Sequence, residues 1–165
     1  MRGRYWRAAD LDAVLRKVAE SSARTVIFDV EPLVAFWDTD EPTLDRGIVT
    51  VVSRASVLGD VQAIGFATNS LRCAEVPQAT GGVRVFYVSA ARKPMRLAPY
   101  RSLPSPGVVV GDQVATDGVL ARRLGFAFVH YCPPMARIPV GPRLMRQLGR
   151  PLRPLLFDRK SSESS

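Results

Sequence analysis

Two short apolar runs that end in acidic residues constrain the fold of this chain more than any other feature. Residues 25–29 read Thr-Val-Ile-Phe-Asp, and residues 107–112 read Gly-Val-Val-Val-Gly-Asp. Uninterrupted apolar runs of this length are typical of central strands in a parallel sheet, which are covered on both faces. Ligands of open α/β sheets bind at the carboxyl ends of such strands. We therefore expect Asp29 and Asp112 to meet at one edge of the sheet.

Two carboxylates placed side by side at such an edge repel each other unless a cation or a shared proton lies between them. Glu31 follows Asp29 closely, and Asp117 follows Asp112 within the same short polar turn. Four acids at neighbouring strand ends therefore indicate a divalent metal site. The alternative for these residues is a solvated loop in which each acid faces water or caps the following turn.

The rest of the chain alternates between the spacing of strands and that of helices. Apolar residues recur at helical spacing over residues 10–20, behind Asp10, which can cap the first turn, and again over residues 43–58. We predict five strands, at residues 25–29, 62–67, 83–88, 107–110 and 126–131. This alternation implies right-handed crossovers and a three-layer, Rossmann-like α/β fold with a central, mostly parallel five-stranded sheet.

The length and composition fit one globular domain. The 165 residues include 47% hydrophobic and 23% charged residues. The sequence has no apolar run that approaches the roughly 20 residues of a membrane-spanning helix. The first ten residues carry positive charge but lack the apolar core of a secretory signal. We expect a domain over residues 1–135 and a cytoplasmic location.

Much of the net charge of +8 comes from the C-terminal part of the sequence. Seven basic residues stand between positions 137 and 160 against one acid, Asp158, and prolines and glycines interrupt any regular period. We expect residues 136–165 to form a basic Pro/Arg-rich tail that is partly docked through residues 155–157 and ends in disordered residues. Weak contact of this tail with an anionic surface, either anionic lipid or nucleic acid, is one functional hypothesis.

The chain offers few residues for a zinc site. Its two cysteines, Cys73 and Cys132, are far apart in sequence, and His130 is its only histidine. We therefore expect two reduced thiols and a structural histidine. The glycine-rich motifs of nucleotide-hydrolysing and dinucleotide-binding proteins are also absent from the sequence.

Four polar elements follow the predicted strands in order. They read Asp-Val-Glu at residues 29–31, Thr68-Asn69, Lys93-Pro94, and Gly-Asp-Gln-Val-Ala-Thr-Asp at residues 111–117. In this order and spelling the sequence resembles the haloacid dehalogenase-like (HAD) phosphatases, and within their subfamily IIIA the YqeG-type group. The resemblance extends from about residue 5 to residue 135. Its most specific part is the run at residues 111–117 combined with Lys93-Pro94.

The resemblance implies a Mg²⁺-dependent phosphomonoester hydrolase. Asp29 would be the nucleophile that forms an aspartyl-phosphate, and Glu31 would be the general acid and base. The metal ligands would be the side chains of Asp29 and Asp112 and the backbone carbonyl of Glu31. Lys93 would supply positive charge to the transferring phosphoryl group.

The same resemblance assigns supporting roles to the remaining site residues. Thr68 and Asn69 would bind substrate together with Lys93, and Asp117 would orient Lys93 or the waters on the metal. The chain between the first motif and Thr68 is too short for a folded cap, so the resemblance implies a capless, open site. The expected partner is a phosphorylated small molecule or a lipid head group.

The first motif departs from the family pattern. HAD phosphatases usually read Asp-x-Asp-x-Thr, whereas this chain reads Asp-Val-Glu-Pro-Leu at residues 29–33. Glutamate adds a methylene group and displaces the acid by on the order of 1 Å, a shift that can lower the rate about 10²-fold. Pro32 removes a backbone N–H, and Leu33 removes a hydroxyl. A further hypothesis is therefore a catalytically impaired HAD-like domain that serves as a phosphate-binding or scaffolding module.

Overall fold

The structure is a computed structural model and describes residues 3–77, 79–133 and 151–157. Its strands are β1 (Tyr5–Ala8), β2 (Thr25–Asp29), β3 (Ala63–Ala67), β4 (Ala79–Thr80), β5 (Val83–Val88), β6 (Gly107–Gly111) and β7 (Ala127–Tyr131). Its helices include α1 (Leu11–Glu20), α2 (Glu41–Ala55) and α3 (Val119–Leu124), with a 3₁₀ turn at Ala98–Tyr100 and a π-helical turn at Val114–Gly118. Residues 151–156 are also helical. None of the helices in the described ranges is long and apolar enough to cross a membrane.

The strands form one sheet in the order β1-β7-β6-β2-β3-β5-β4. Every neighbouring pair is parallel except β4 with β5. The predicted α/β class with a mostly parallel sheet is therefore confirmed, and the five predicted strands are its consecutive members from β7 to β5. The predicted total of five strands is wrong, because the described sheet has two further strands, one at each edge.

Both edge strands carry weak sequence patterns. β1 has four residues, reads Tyr-Trp-Arg-Ala, and pairs with β7 alone. β4 has two residues and is joined to β5 by Gly81 and Gly82, whose φ angles are +56° and +82°. A glycine pair with positive φ at both positions is typical of a tight hairpin turn. This pair is the signal from which β4 could be predicted.

Apolar side chains cover both faces of the sheet. On one face, Val26 and Phe28 of β2 belong to a cluster that includes the buried residues of α1 and α2. On the other face, Ile27 belongs to a cluster that includes Leu120 of α3 and Tyr100. Successive residues of β2 point to opposite faces, and all five are buried. This burial explains why the strand reads as an uninterrupted apolar run.

Both predicted amphipathic helices are present, although their ends differ. Asp10 accepts a backbone N–H at 2.7 Å and is the N-cap of α1, as predicted. Asp40 caps α2 in the same way at 3.0 Å, so this helix begins at Glu41 rather than at residue 43. It ends at Ala55 rather than at residue 58, because a turn follows.

Residues 151–157 lie against the N-terminal end of the chain. Phe157 is buried, forms a β-bridge with Gly3, and packs its ring against Tyr5 and Phe128. Leu155 of the same segment is exposed. The other residues of the predicted tail, 136–150 and 158–165, lie outside the described residues, and so do most of its arginines and the predicted disorder of its end.

Candidate active site

The carboxyl ends of β2 and β6 bring three acids together. Asp29 is the last residue of β2, and Asp112 directly follows β6, the parallel neighbour of β2. Asp117 lies in the π-helical turn after β6. Each of these buried acids offers a carboxylate oxygen, and the three oxygens lie within 4.8 Å of one another. The cluster thus occupies the edge of the sheet at which α/β folds bind ligands.

Lys93 places a buried ammonium in this cluster. Its Nζ lies 2.7 Å from Asp29 Oδ1 and 2.8 Å from Asp117 Oδ1, and it donates to the Ala67 carbonyl at 2.9 Å. These three acceptors match the three N–H bonds of an ammonium group. The side chain of Lys93 is only 3% exposed. Its charge is therefore compensated by the two acids rather than by water.

Three carboxyl groups and one ammonium share this buried cluster. Burial raises the pKa of Asp29 well above its usual value, and the charges of Asp117 and Asp112 add to this effect while Lys93 opposes it. Burial alone would lower the pKa of Lys93, but Asp117 and Asp29 raise it above its usual value. Lys93 is therefore charged. Because three buried acids face this single ammonium, a further proton or cation is needed among them.

Gly111 provides the space that Asp117 occupies. A Cβ atom at this position would lie 2.3 Å from Asp117 Oδ2, a distance that side chains do not tolerate. The same carboxylate oxygen accepts the Gln113 N–H at 3.3 Å. Glycine at the end of β6 therefore allows Asp117 to fold back against the strand and reach Lys93.

Glu31 is buried beside the three-acid cluster but belongs to a separate set of contacts. Its Oε2 accepts the Thr68 hydroxyl at 2.7 Å. Its Oε1 lies 3.4 Å from both Ser70 Oγ and Arg72 Nη1. The carboxylate is therefore held by the loop after β3 and is not one of the three clustered acids. The metal contact predicted for Glu31, through its backbone carbonyl, does not involve this carboxylate.

Thr68 and Asn69, which were predicted to bind substrate, both use their side chains within the protein. The Thr68 hydroxyl donates to Glu31, and the Thr68 N–H donates to the Val88 carbonyl at 3.1 Å. The Asn69 amide forms two bonds with the Lys93 backbone, since its Oδ1 accepts the N–H at 2.7 Å and its Nδ2 donates to the carbonyl at 3.2 Å. The Asn69 side chain therefore supports the loop that carries Lys93.

Arg72 is a residue of the site that the sequence does not predict. Besides Glu31, it contacts the loop after β2, where it donates to the carbonyls of Phe36 at 2.9 Å and Thr39 at 2.8 Å. It thereby ties the loops that follow β2 and β3 to each other. One arginine among the many of this chain has no distinctive sequence pattern.

His130 also lies at the site, although the sequence predicts only a structural role for it. Its Nε2 lies 3.1 Å from the backbone oxygen of Asp112, and its Nδ1 lies 2.8 Å from the Tyr5 hydroxyl. Because a carbonyl oxygen only accepts, Nε2 carries the proton that faces Asp112. In the neutral ring, Tyr5 then donates to Nδ1.

The donor set of the three-acid cluster fits a hard divalent cation, the class to which Mg²⁺ belongs. All of its donors are carboxylate oxygens, which hard divalent cations prefer over nitrogen or sulfur. Asp29 and Asp112, at the ends of adjacent strands, are the acids that would hold the ion, while Asp117 would compensate Lys93. The two free thiols of the chain lie outside this group of acids.

Three comparisons with known proteins add no assignment to this geometry. Neither the protein-family models, nor the curated proteins, nor the solved structures gave a match to the chain. The function of the site is therefore inferred from its own residues and their contacts.

Proposed function

We propose that this protein is a Mg²⁺-dependent phosphomonoester hydrolase of the HAD type, similar to the YqeG-type phosphatases of subfamily IIIA. One observation carries the proposal: Lys93 Nζ lies 2.7 Å from Asp29 Oδ1, and Asp29 is clustered with Asp112 and Asp117. Phosphoryl transfer through an aspartyl-phosphate needs a nucleophilic carboxylate, a fixed cation and oxygen ligands for a metal. All of these groups lie at the carboxyl edge of a mostly parallel sheet.

In the first step, a carboxylate oxygen of Asp29 attacks the phosphorus atom of the substrate. A bond forms between this oxygen and phosphorus, while the bond between phosphorus and the ester oxygen breaks and its electron pair leaves with that oxygen. Glu31 donates a proton to the departing oxygen, so the leaving group departs as a neutral alcohol. The enzyme then carries an aspartyl-phosphate at Asp29.

In the second step, a water molecule attacks the phosphorus atom of the aspartyl-phosphate. Glu31, now a carboxylate, takes a proton from this water. The bond between phosphorus and the Asp29 oxygen breaks, and inorganic phosphate is released. Asp29 is again a carboxylate and Glu31 is again protonated, so both residues are ready for another substrate.

The remaining charges stabilise the phosphoryl group during both steps. Mg²⁺, held by Asp29 and Asp112, would offset the repulsion between the phosphate oxygens and the acids. Lys93 supplies a positive charge whose position is fixed before substrate binds, because its ammonium has three protein acceptors. Asp117 bonds to that ammonium and therefore acts on the phosphoryl group through Lys93.

The chain between β2 and β3 favours a capless site, although the three clustered acids are themselves buried. Between β2 and β3, residues 30–62 form turns and the helix α2, whose buried residues pack in the core. This part of the chain, all of which is described, adds no separate folded unit. A site without a cap leaves room for a phosphorylated small molecule or a lipid head group, and a net charge of +8 favours anionic ligands. The cytoplasmic location expected from the sequence is part of this proposal.

Hydrolysis of p-nitrophenyl phosphate at increasing Mg²⁺ concentration tests the proposal. The wild-type protein should release p-nitrophenol only with Mg²⁺, and Asp29→Asn should abolish release because an amide does not form the aspartyl-phosphate. Asp38→Asn is a matched control, since it removes an exposed acid from the loop after β2 and should keep full activity. The proposal would be overturned if Asp29→Asn hydrolysed the substrate as fast as the wild type, or if the wild type kept its full activity in EDTA.

The contacts of Glu31 favour a second candidate function, a phosphate-binding or scaffolding module without turnover. Its carboxylate is bonded to Thr68 and lies 3.4 Å from Arg72, outside the three-acid cluster. A glutamate held in this way would leave the departing oxygen without a proton donor. Isothermal titration calorimetry would then show Mg²⁺-dependent binding of inorganic phosphate, while no p-nitrophenol is released. Under this alternative Glu31→Asp creates activity from none, whereas under the hydrolase proposal it changes an existing activity.

A further inference from the structure

Asn69 lies just beyond β3, next to the loop that carries Lys93. We infer that Asn69 is a positioning residue that fixes Lys93 through its backbone. The inference rests on the proposed function in that it concerns the same site, but its main test requires no turnover. It adds a positioning role to the substrate contact that the family resemblance implies for Asn69.

The Asn69 amide binds both polar groups of the Lys93 backbone. Its Oδ1 accepts the Lys93 N–H at 2.7 Å, and its Nδ2 donates to the Lys93 carbonyl at 3.2 Å. An amide that both accepts from and donates to one residue fixes the orientation of that residue as well as its distance. These two bonds occupy the amide oxygen and one of the two N–H groups of Nδ2.

Two backbone hydrogen bonds join the same two segments. The Ala90 N–H donates to the Ser70 carbonyl, and the Ala91 N–H donates to the Thr68 carbonyl, both at 2.8 Å. Together with the Asn69 amide, residues 68–70 thus bind the backbone of residues 90, 91 and 93. The residues that follow β3 therefore hold the backbone of the loop that leads to Lys93.

The loop that these bonds hold has a strained backbone. Ala90 has a φ of +44° and Arg92 a φ of +52°, in the left-handed region that residues with a side chain rarely adopt. Such conformations persist where the surrounding contacts over-determine them. The bonds from residues 68–70 supply that constraint. We therefore expect the loop to relax, and Lys93 to move with it, when the Asn69 amide is removed.

Lys93 is thus held at both ends. The acids Asp29 and Asp117 bind its ammonium, and Asn69 binds its backbone. A lysine side chain has a flexible four-carbon stem. If only the acids held the ammonium, the Lys93 backbone could therefore still take many positions. The Asn69 amide removes that freedom, and the ammonium consequently occupies one place before a ligand binds.

Lysine labelling tests this inference, because the chain contains only three lysines, Lys17, Lys93 and Lys160. An N-hydroxysuccinimide ester acylates accessible amines of the folded protein, and peptide mass spectrometry reports the rate at each lysine. In the wild type, Lys93 should react far more slowly than Lys17, since their side chains are 3% and 17% exposed. Asn69→Ala should raise the Lys93 rate about five- to thirtyfold, the range expected from the loss of one or two hydrogen bonds at about 1 kcal/mol each, and leave the Lys17 rate unchanged.

Gln62→Ala is the matched control. Gln62 directly precedes β3, and its side-chain amide also accepts one hydrogen bond, from Arg24 at 2.9 Å. This variant should label Lys93 at the wild-type rate. Asn69→Asp keeps the acceptor for the Lys93 N–H but loses the donor to its carbonyl, so its rate should lie between those of the wild type and Asn69→Ala.

Equal Lys93 labelling in the wild type, Gln62→Ala and a folded Asn69→Ala variant would overturn the positioning role. If Asn69→Ala does not fold, as judged by circular dichroism, Asn69→Asp decides the same comparison. Where the wild type hydrolyses p-nitrophenyl phosphate, Asn69→Ala should lower kcat and leave KM unchanged, whereas a raised KM with unchanged kcat would overturn the inference. If the wild type shows no activity, the proposed hydrolase function is wrong. The labelling rates do not depend on activity, so they still test the role of Asn69.

Discussion

The Asp117 carboxylate occupies the space beside Gly111 that a Cβ atom would fill. Its Oδ2 would lie 2.3 Å from such an atom, while its Oδ1 lies 2.8 Å from Lys93 Nζ. The absence of a side chain at residue 111 is therefore a condition for the buried ion pair of Asp117 and Lys93. A substitution at this glycine changes the charge arrangement of the site without replacing any charged residue.

We predict that Gly111→Ala lowers the free energy of unfolding by about 2–3 kcal/mol, because the new methyl group displaces Asp117 and weakens the buried ion pair with Lys93. Urea unfolding followed by circular dichroism measures this difference. Gly59→Ala is the control, since a Cβ at Gly59 would meet nothing within 4 Å, and it should change the free energy of unfolding by less than about 0.5 kcal/mol. Equal losses in the two variants would show that Asp117 is not held by this space.

We predict that Mg²⁺ stabilises the folded protein through Asp29 and Asp112. A ligand that binds only the folded state raises the free energy of unfolding by about 2.7 kcal/mol at 100 times its Kd. Differential scanning fluorimetry should show a higher Tm in millimolar Mg²⁺ for the wild type and for Asp38→Asn, and EDTA should reverse it. Asp112→Asn should show no Mg²⁺ shift, although its metal-free form loses one repelling charge and should not be less stable for that reason. A full Mg²⁺ shift in Asp112→Asn would exclude an ion at this position.

The site residues that can be predicted from sequence are those that stand at the ends of strands. Asp29 and Asp112 each follow an uninterrupted apolar run, which is a local pattern. The parallel pairing of β2 with β6 then brings both acids to one edge of the sheet. The N-cap at Asp10 is predictable for the same reason, because it depends on a few successive residues. Local patterns of this kind also account for the five central strands.

The rest of the site depends on contacts between distant segments. Arg72 meets Glu31 only because the loops after β2 and β3 converge, and His130 meets Tyr5 because β7 pairs with β1. Asn69 follows a strand end, a position from which side chains commonly face a ligand, yet the strained loop before Lys93 folds over it. These contacts join residues that are far apart in the sequence, so no local sequence pattern predicts them.

Tyr100 should make the stability of the protein fall at high pH. Burial raises the pKa of Tyr100 to about 12, and Lys93 opposes this effect while Asp117 adds to it. The unfolded chain, whose tyrosines ionise near pH 10, therefore releases this proton more readily than the folded state does. The contribution of Tyr100 to stability is fully present below pH 10 and is lost as the pH rises toward 12.

We predict that Tyr100→Phe reduces this alkaline loss and leaves the free energy of unfolding at pH 7 unchanged or slightly higher, because no hydrogen bond reaches the Tyr100 hydroxyl within the described ranges. Tyr87→Phe is the comparison. Burial also raises the pKa of Tyr87 to about 12, but its hydroxyl donates to the Arg72 carbonyl at 3.2 Å, so this variant should lose about 1 kcal/mol at pH 7. Urea unfolding at pH 7 and near pH 11 measures the free energy of unfolding of both variants. Equal losses of this free energy at pH 7 in Tyr100→Phe and Tyr87→Phe would contradict the predicted difference between the two hydroxyls.

Arg72 joins the loops after β2 and β3 through a planar guanidinium group that lysine does not reproduce. Its Nη1 donates to the Phe36 carbonyl at 2.9 Å and lies 3.4 Å from Glu31 Oε1, while its Nη2 donates to the Thr39 carbonyl at 2.8 Å. An ammonium is a compact charge and does not reach acceptors spread along both nitrogens. We predict that Arg72→Lys lowers the free energy of unfolding by about 1–3 kcal/mol through the loss of these bonds.

The effect of Arg72→Lys should be concentrated in the loop that the guanidinium holds, because a loop that loses its anchoring bonds opens locally before the sheet unfolds. Hydrogen exchange followed by mass spectrometry should therefore show faster exchange in residues 34–40, with unchanged exchange in β6. Arg122→Lys, at an exposed position of α3, provides the control for the change from guanidinium to ammonium. If residues 34–40 exchange at the same rate in both variants, Arg72 does not anchor this loop.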